Sequence, residues 1–214
     1  MDILQVTEIF HSIQGESTRQ GFPCVFVRLT GCPLRCRWCD TAYAFHGGEP
    51  MSVDAIVARV ETYATPLIEV TGGEPLAQRA APALLKRLAD LGSTVLLETS
   101  GALSIEGLDP RVRIVMDLKC PDSGEAAKNR WENLGLLKAD DEVKFVLASR
   151  GDYLWARGIV AERFSGKPNP ILFSSVWRSL APSDLAAWIL EDRLEVRLQI
   201  QLHKVLYGES ARGV

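Results

Sequence analysis

The stretch Cys32-Pro33-Leu34-Arg35-Cys36-Arg37-Trp38-Cys39 decides how the rest of this chain is interpreted. Three of the five cysteines fall within it, so one short loop can bring three thiolates to a single point. A tetrahedral zinc ion held by these thiolates would lack its fourth protein ligand. A four-iron cluster held by them would have three irons on cysteine sulfur and a fourth iron open to another molecule. The spacing therefore favours a [4Fe-4S] cluster with one open iron.

A structural zinc loop is the alternative interpretation of the three cysteines. It needs a fourth ligand from elsewhere in the chain, and the candidates are Cys24, Cys120, His11, His46 and His203. The cluster is favoured because the apolar residues 25–29 lead directly into the loop, as a buried strand leads into a ligand-binding turn.

Length and composition are those of a globular protein with one sizeable core. The chain has 214 residues, of which 47% are hydrophobic and 24% are charged. A net charge of -3 provides no field that would attract nucleic acid. No apolar stretch is long enough to span a bilayer, and no secretory signal is apparent at the N-terminus. Clustered cysteines in such a chain indicate metal ligands in a reducing compartment, so we expect a cytoplasmic protein without nucleic-acid or membrane partners.

Apolar runs and helical periodicities alternate along most of the chain. The runs predict strands at residues 24–30, 67–70, 94–98, 114–119, 142–147, 170–175 and 195–201. The periodic segments predict helices at 52–63, 152–164 and 183–191, and another whose core face is Leu84, Leu85, Leu88 and Leu91. Residues 122–137 are predicted to form a loop with one helix, and Ser183 is predicted to be an N-cap. Alternation of this kind predicts parallel strands joined by right-handed crossovers. We expect an α/β fold, an incomplete parallel β/α barrel in one domain spanning residues 1–214.

Polar residues follow several of the predicted strands. They are Gly31 with the cysteine loop, Thr71-Gly72-Gly73-Glu74, Thr99-Ser100, Asp117 with Lys119, and Ser174. The carboxyl ends of parallel strands meet on one face of a barrel, so these residues are expected to surround one site. Because side chains alternate along a strand, Asp117 and Lys119 share a face. They either contact a ligand there or form an ion pair with each other, and the sequence leaves both possibilities open.

Two polar positions near the N-terminus are candidates for ligand contacts. Arg28 interrupts an apolar run, so its guanidinium either reaches the edge of the sheet or points into a cavity that holds an anion. Its place beside the cysteine loop favours the cavity. Gln14 offers both donors and an acceptor to the edge of a heterocycle, and Gly15 permits a close approach.

The cysteine spacing resembles that of radical S-adenosylmethionine (SAM) enzymes, in which SAM chelates the open iron. The resemblance narrows to the 7-carboxy-7-deazaguanine synthase family on five motifs that occur in order. These are residues 9–16 (Ile-Phe-His-Ser-Ile-Gln-Gly-Glu), Cys39-Asp40-Thr41, residues 71–75 (Thr-Gly-Gly-Glu-Pro), residues 98–101 (Glu-Thr-Ser-Gly), and Gln201-Leu202-His203-Lys204.

The resemblance implies a ring-contracting radical SAM lyase of deazapurine (queuosine precursor) biosynthesis. Its substrate would be 6-carboxy-5,6,7,8-tetrahydropterin, and its products 7-carboxy-7-deazaguanine and ammonia. The implied cofactors are a [4Fe-4S] cluster, SAM and Mg²⁺. A 5'-deoxyadenosyl radical would take hydrogen from C6 of the pterin and return it after the ring contracts. The implied partners are an external electron donor such as flavodoxin and a second copy of the chain in a homodimer.

The resemblance also implies a role for each matching residue. Cys32, Cys36 and Cys39 would ligate the cluster, and Thr41 would bind Mg²⁺. SAM would be contacted by Trp38, Cys39, Asp40, Gly73, Glu74, Asp117, Leu118, Lys119 and Ser174. The substrate would be contacted by Ile13, Gln14, Gly15, Arg28, Thr71 and His203, with Arg28 as a carboxylate clamp and Glu16 assisting catalysis nearby. A substrate-binding turn at about 8–16 and a C-terminal tail at about 203–214 would flank the barrel.

Three positions depart from the family pattern. Ser175 replaces a proline that often follows the polar residue of the sixth strand, Val205 replaces an aromatic residue, and the chain runs on through Tyr207 to Val214. A glycyl-radical-activating enzyme shares the cysteine spacing and is the alternative within the radical SAM enzymes. The small size, the Gln14-Gly15-Glu16 turn and Thr41 favour the deazaguanine synthase family.

Overall fold

The computed structural model describes residues 2–209 and 211–214. In this part of the chain, one nine-stranded sheet contains every strand, in the order β3-β1-β2-β4-β5-β6-β7-β8-β9. The strands are β1 (Ile3–Ile13), β2 (Pro23–Leu29), β3 (Glu49–Ser52), β4 (Leu67–Gly72), β5 (Thr94–Thr99), β6 (Arg113–Asp117), β7 (Glu142–Leu147), β8 (Ile171–Ser175) and β9 (Arg197–Gln199). The α-helices are α1 (Val53–Glu61), α2 (Ala81–Asp90), α3 (Arg150–Arg163), α4 (Pro182–Glu191) and α5 (Leu202–Tyr207).

The sheet is parallel from β2 through β9 and antiparallel only at its N-terminal edge. β1 pairs antiparallel with both β2 and β3, whereas each later pair is parallel. The predicted open α/β barrel of parallel strands is therefore confirmed. The long strand β1 and the short strand β3 were not predicted from the sequence.

Two apolar clusters hold the helices against the sheet. One is formed by α1 and α2 with residues of β1, β2, β4 and β5, and includes Val27, Ile56, Leu84 and Val70. The other packs α3 and α4 on β6, β7 and β8, and includes Phe145, Tyr153 and Phe173. Burial on these faces leaves the opposite face of the sheet free to carry polar residues toward the interior of the barrel.

The turn after β1 bridges the open side of the barrel. The backbone N–H of Ser17 donates to the side-chain oxygen of Gln199 on β9 (3.2 Å), and the Gln199 amide donates back to the Ser17 carbonyl (2.5 Å). The Thr18 N–H donates to the carboxylate of Glu142 on β7 (2.8 Å). Because both partners are inward-facing strand residues, residues 14–20 complete the wall that the sheet itself does not close.

Local details of the helices agree only in part with the sequence prediction. Ser52 caps α1 as predicted, its hydroxyl accepting from the Ala55 N–H (3.2 Å). The prediction that Ser183 caps α4 is wrong, because Ala181 is the N-cap and Pro182 occupies the first turn, where its fixed φ suits a helix. The loop predicted at 122–137 contains short 3-10 turns rather than one helix.

The predicted strand ends also shift by a few residues. β6 ends at Asp117, so residues 118–119 follow the strand, and β9 covers only Arg197–Gln199 of the predicted 195–201. None of the described helices has both the length and the apolar character needed to cross a membrane.

Leu91 was predicted to belong to the core face of α2, and that prediction is wrong. Its side chain is 40% exposed, whereas Leu84, Leu85 and Leu88 are fully buried. The helix ends at Asp90, before Leu91 can complete the apolar stripe, and Gly92 adopts a positive φ of 80° that directs the chain away.

The two leucines therefore provide a matched test of the α2 packing. Leu84→Ala is expected to lower the free energy of unfolding by about 2–5 kcal/mol because it leaves a cavity in the core. Leu91→Ala removes the same atoms from the surface and is expected to cost less than about 1 kcal/mol. Urea unfolding followed by circular dichroism measures both values. Equal losses would contradict the described end of α2.

Candidate active site

A cavity of about 470 Å³ opens at the carboxyl ends of the parallel strands. It is lined by the cysteine loop, the ends of β4, β5 and β6, the turn after β1, and residues near the C-terminus. The predicted site residues that line it are Ile13, Gln14, Gly15, Glu16, Arg28, Cys32, Cys36, Trp38, Cys39, Asp40, Thr41, Thr71, Gly73, Asp117, Lys119 and His203. Glu74, Leu118 and Ser174 lie behind the lining. The structure thus brings most of the predicted residues to one place.

The cysteine loop is held in a defined conformation at the end of β2. Gly31 has a positive φ of 94° and turns the chain out of the strand. Leu34 is buried, and its N–H donates to the sulfur of Cys32 (3.4 Å). The Cys39 N–H donates to the Cys36 carbonyl (3.2 Å). All three cysteines are half-buried free thiols that face the cavity.

Gly73 allows the end of β4 to lie against this loop. A Cβ atom at position 73 would lie 2.2 Å from the Gly31 carbonyl oxygen and 2.9 Å from Cβ of Cys32. Both distances are shorter than a carbon contact permits, so any side chain would push the cysteine loop away. A glycine at this position is therefore required for the observed geometry.

The donor set fits an iron–sulfur cluster together with SAM. Burial raises the pKa of the Cys36 thiol to about 11 although Lys119 opposes the shift, so ligation must release protons. Oδ1 of Asp117, which lines the cavity, and Oγ of Ser174, which does not, are buried and have no hydrogen-bond partner among the described residues. Buried polar atoms are usually paired, so these two are available to a polar ligand. No three His, Cys, Asp or Glu side chains in the described chain are already gathered as around a single metal ion.

Glu74 joins two strand ends and does not line the cavity. Its carboxylate is fully buried and accepts hydrogen bonds from the Ser100 N–H (2.8 Å), the Ser100 hydroxyl (2.5 Å) and the Thr99 hydroxyl (2.9 Å). The Thr-Gly-Gly-Glu and Glu-Thr-Ser-Gly motifs are therefore locked together by one carboxylate. Leu118 packs in the apolar core beside them.

Asp117 and Lys119 form an ion pair, which is one of the alternatives that the sequence left open, and they also line the cavity. Nζ of Lys119 lies 2.8 Å from Oδ2 of Asp117. Burial opposes the charge on Lys119, but Asp117 and Cys36 outweigh it and raise the pKa of the ammonium above its usual value. The pair presents a fixed cation next to the cysteine loop.

Lys144, on β7, was not identified from the sequence. Its side chain is buried and its Nζ lies 2.5 Å from the carboxylate of Glu16, also contacts that of Glu98, and lies 3.7 Å from that of Asp117. These carboxylates come from the turn after β1, from β5 and from β6. The sequence did contain a sign of this role, because Lys144 interrupts an apolar run at an inward position just as Arg28 does.

The pKa values of two carboxyl groups, the partly buried Glu16 and the buried Glu69, are shifted in opposite directions. Burial disfavours the charge on Glu16, but Lys144 and His203 outweigh that cost and lower its pKa to about 2. Glu69 accepts from the Gln14 amide (2.5 Å), while burial and the nearby Glu98 raise its pKa well above the usual range. The surroundings thus favour the ionised form of Glu16, which only accepts hydrogen bonds, and the protonated form of Glu69.

Arg28 faces the cavity and already donates a hydrogen bond to Glu8. Its Nε donates to the carboxylate of Glu8 (2.7 Å), and its guanidinium lies 5.7 Å and 5.8 Å from the ring centroids of Phe10 and Tyr43. The side chain is only 16% exposed. The cavity orientation expected from the sequence is therefore observed, and the terminal N–H groups face the space beside the aromatic rings.

The motifs at the two ends of the chain meet at Gly15 and His203. A Cβ atom at position 15 would lie 2.2 Å from Nδ1 of His203, so only glycine permits this contact. The Leu202 N–H donates to the Gly15 carbonyl (3.0 Å). Next to them, Lys204 pairs with Asp40 (2.8 Å), and the Thr41 hydroxyl donates to Asp40 (3.0 Å). His203 and the turn that contains Gly15 thus form one wall of the cavity.

The two carboxyl groups beside Lys144 allow a paired test of their charge states. Because the surroundings of Glu69 favour its protonated form, Glu69→Gln should replace one neutral group with another and change the free energy of unfolding by less than about 1 kcal/mol. Glu16→Gln removes a charge that faces the buried Lys144 and is expected to cost roughly 2–4 kcal/mol. Urea unfolding of both variants measures the two changes in the free energy of unfolding. A larger loss for Glu69→Gln would contradict the assigned charge states.

Comparison with known proteins agrees with this arrangement. The radical SAM superfamily model matches residues 26–123. A 7-carboxy-7-deazaguanine synthase of Chlorobaculum tepidum is 46% identical over 99% of this chain and 97% of its own. One from Koribacter versatilis is 44% identical over 99% of this chain and 100% of its own. These relatives favour ring contraction over the glycyl-radical-activating and zinc-loop alternatives.

Solved structures show the same fold at low sequence identity. QueE from Escherichia coli superimposes with a TM-score of 0.79 at 22% identity, covering 94% of this chain and 95% of that one. Streptococcus suis SuiB, solved with S-adenosylmethionine bound, superimposes with a TM-score of 0.57 at 13% identity over 80% of this chain and 45% of its own. Taken with the near full-length curated relatives, they establish that this chain belongs to the 7-carboxy-7-deazaguanine synthase family of radical SAM enzymes.

Proposed function

We propose that the protein converts 6-carboxy-5,6,7,8-tetrahydropterin to 7-carboxy-7-deazaguanine and ammonia. The observation that carries the proposal is that one cavity is lined by the three cysteines, by predicted SAM contacts and by predicted substrate contacts. Substrate and products balance atom for atom, so no net oxidant or reductant is consumed. The names of the near full-length relatives support the same reaction.

The residues at the cysteine loop are proposed to hold the cofactors. Cys32, Cys36 and Cys39 would ligate three irons of the cluster. When bound and reduced, the cluster and SAM supply a 5'-deoxyadenosyl radical that removes one hydrogen atom from the substrate. Trp38 and the backbone through Asp40 would contact the adenine. Near the ion pair of Asp117 and Lys119, the unpaired Oδ1 of Asp117 and Oγ of Ser174 would accept from or donate to the rest of SAM.

The opposite wall is proposed to hold the pterin. Gln14 donates to the buried carboxyl group of Glu69, Thr71 donates to the partly exposed carboxyl group of Glu98, and Gly15 lines the same cavity. This arrangement suits the amino and amide edge of a 2-amino-4-oxopyrimidine. Arg28 would bind the carboxylate with its free N–H groups. Glu16, held ionised by Lys144, would accept a hydrogen bond from the substrate ring. The main contribution of the protein is to hold the reacting atoms in contact.

Magnesium is proposed to join the substrate to the cysteine loop. The Thr41 hydroxyl donates to Asp40 and keeps its lone pairs for a cation, while a substrate carboxylate and waters would supply further oxygens. We also propose an external one-electron donor such as flavodoxin, a homodimer, a single domain over residues 1–214 and a cytoplasmic location. These last proposals are supported by the family resemblance.

The cluster assignment is tested by comparing two cysteine variants. Cys36→Ala should fold but lose iron and SAM cleavage, because one iron loses its only protein ligand. Cys120→Ala is the control, because Cys120 is buried in the apolar core and does not line the cavity. Iron, sulfide and zinc are measured after anaerobic preparation, together with visible absorption and product mass. Full iron content and turnover in Cys36→Ala would show that the assignment is wrong.

The magnesium assignment is tested at Thr41. Thr41→Ala should lose most of the stimulation of turnover by Mg²⁺ while keeping the visible spectrum of the cluster and SAM cleavage without substrate. Thr41→Ser keeps the hydroxyl and should retain the stimulation. Turnover of the parent enzyme that is independent of Mg²⁺ after thorough chelation would contradict the site and favour a purely structural hydroxyl.

A further inference from the structure

The last residues of the chain form part of the cavity wall. The terminal segment, defined as residues 208–209 and 211–214, contributes Gly208, Glu209, Ala211, Arg212, Gly213 and Val214 to the lining. It begins where α5 ends, at Gly208 with a positive φ of 87°. One ion pair at the surface, from Arg178 to Glu209 (3.3 Å), ties it to the loop after β8. Exposed ion pairs stabilise weakly, so the segment can move without disturbing the core.

Arg212 places a positive charge in this wall, and its N–H donors have no partner among the described residues. Its guanidinium carbon lies 4.2 Å from the centroid of the Tyr43 ring. Among the described residues, its guanidinium has no hydrogen-bond or ion-pair partner. Stacking on an aromatic face leaves the N–H groups in the guanidinium plane free to bind an oxygen pair. The stacked side chain is thus held in place by a contact that does not occupy its donors.

The Tyr43 ring contacts the guanidinium groups of both Arg212 and Arg28. The Tyr43 hydroxyl donates to Glu8 (2.8 Å), the same carboxylate that accepts from Arg28 (2.7 Å). A Cβ atom built at Gly213 would lie 3.8 Å from Glu8, so the backbone of the terminal segment packs on this group as well. The two arginines therefore belong to one cluster with Tyr43 and Glu8.

The charges of this cluster do not balance. Glu8 is a single carboxylate that serves Arg28, and Arg212 adds a second positive charge. The nearby Asp40 is paired with Lys204 at 2.8 Å and does not compensate for it. A cation on a cavity wall that pairs with none of the described side-chain carboxylates is a suitable place for an anionic group of a ligand.

We propose that Arg212 is a second carboxylate-binding residue, so that the carboxylate of a 6-carboxylated pterin is bound by Arg28 and Arg212 together and draws the terminal segment over the cavity. The inference rests on the proposed function, because that function supplies the carboxylate. It assigns to the terminal segment a part in selecting carboxylated pterins over those that lack the group. A segment that closes on the carboxylate also keeps water from the reacting carbon.

The test compares two stable pterins that differ only in the carboxylate. Binding of 6-carboxypterin and of unsubstituted pterin to the cluster-loaded protein with SAM is measured anaerobically by fluorescence. Arg212→Gln should weaken binding of 6-carboxypterin about tenfold and leave binding of pterin unchanged. The control is Arg197→Gln, because Arg197 is an exposed arginine that does not line the cavity, and it should change neither affinity. Equal weakening for both pterins, or no weakening, would overturn the proposal.

Closure of the segment has its own readout. Amide hydrogen exchange of residues 208–214 should slow when 6-carboxypterin binds to the parent protein and should not slow with pterin. In Arg212→Gln the protection by 6-carboxypterin should be lost. Exchange that is the same with and without 6-carboxypterin in the parent would show that the segment does not close on the carboxylate.

Turnover separates failure of this inference from failure of the proposed function. A parent protein that forms no 7-carboxy-7-deazaguanine from 6-carboxytetrahydropterin would contradict the proposed function itself. A parent protein that turns over normally, together with an Arg212→Gln variant that keeps the parent preference for the carboxylated pterin, would overturn only the role of Arg212.

Discussion

The buried ammonium of Lys144 is the interaction on which the interior of the barrel depends. It contacts carboxylates that arrive from the turn after β1, from β5 and from β6. Without a cation between them, the carboxylates of Glu16, Glu98 and Asp117 would repel one another. Burial alone would lower the pKa of the ammonium, but Glu16 and Glu98 outweigh burial and raise it well above its usual value. The charge on Lys144 therefore persists wherever the fold persists.

This one cation also links the two halves of the site. Asp117 pairs with Lys119 beside the cysteine loop, whereas Glu16 and Glu98 stand where the pterin is proposed to bind. A buried ion pair contributes little net stability, because desolvation offsets most of its attraction. Its value here is geometric, since it fixes the distance between the cofactor side and the substrate side of the cavity. Hydrogen-atom transfer between two bound molecules requires that distance to be constant.

Glycines and the turn after β1 determine the shape of the cavity around this network. Gly73 lets β4 lie against the cysteine loop, and Gly15 lets the ring of His203 lie against the substrate-binding turn. The same turn is bonded to Gln199 on β9 and so spans the open side of the sheet. The turn closes the side that the sheet leaves free, and the cavity stays open at the carboxyl ends of the strands, where a heterocycle can enter.

The sequence by itself determined the parallel α/β core, the cysteine loop and many of the residues that line the cavity. It could do so because periodicity and strand-end motifs are local signals, and parallel strands necessarily bring their carboxyl ends together. Only the tertiary structure revealed Lys144, Glu69 and Arg212 as parts of the site. An isolated lysine or glutamate in a strand does not indicate its partners, which lie up to 128 residues away for Lys144 and Glu16. The exposure of Leu91 and the locking role of Glu74 were likewise decided by where a helix ends and which strand end comes to lie beside another.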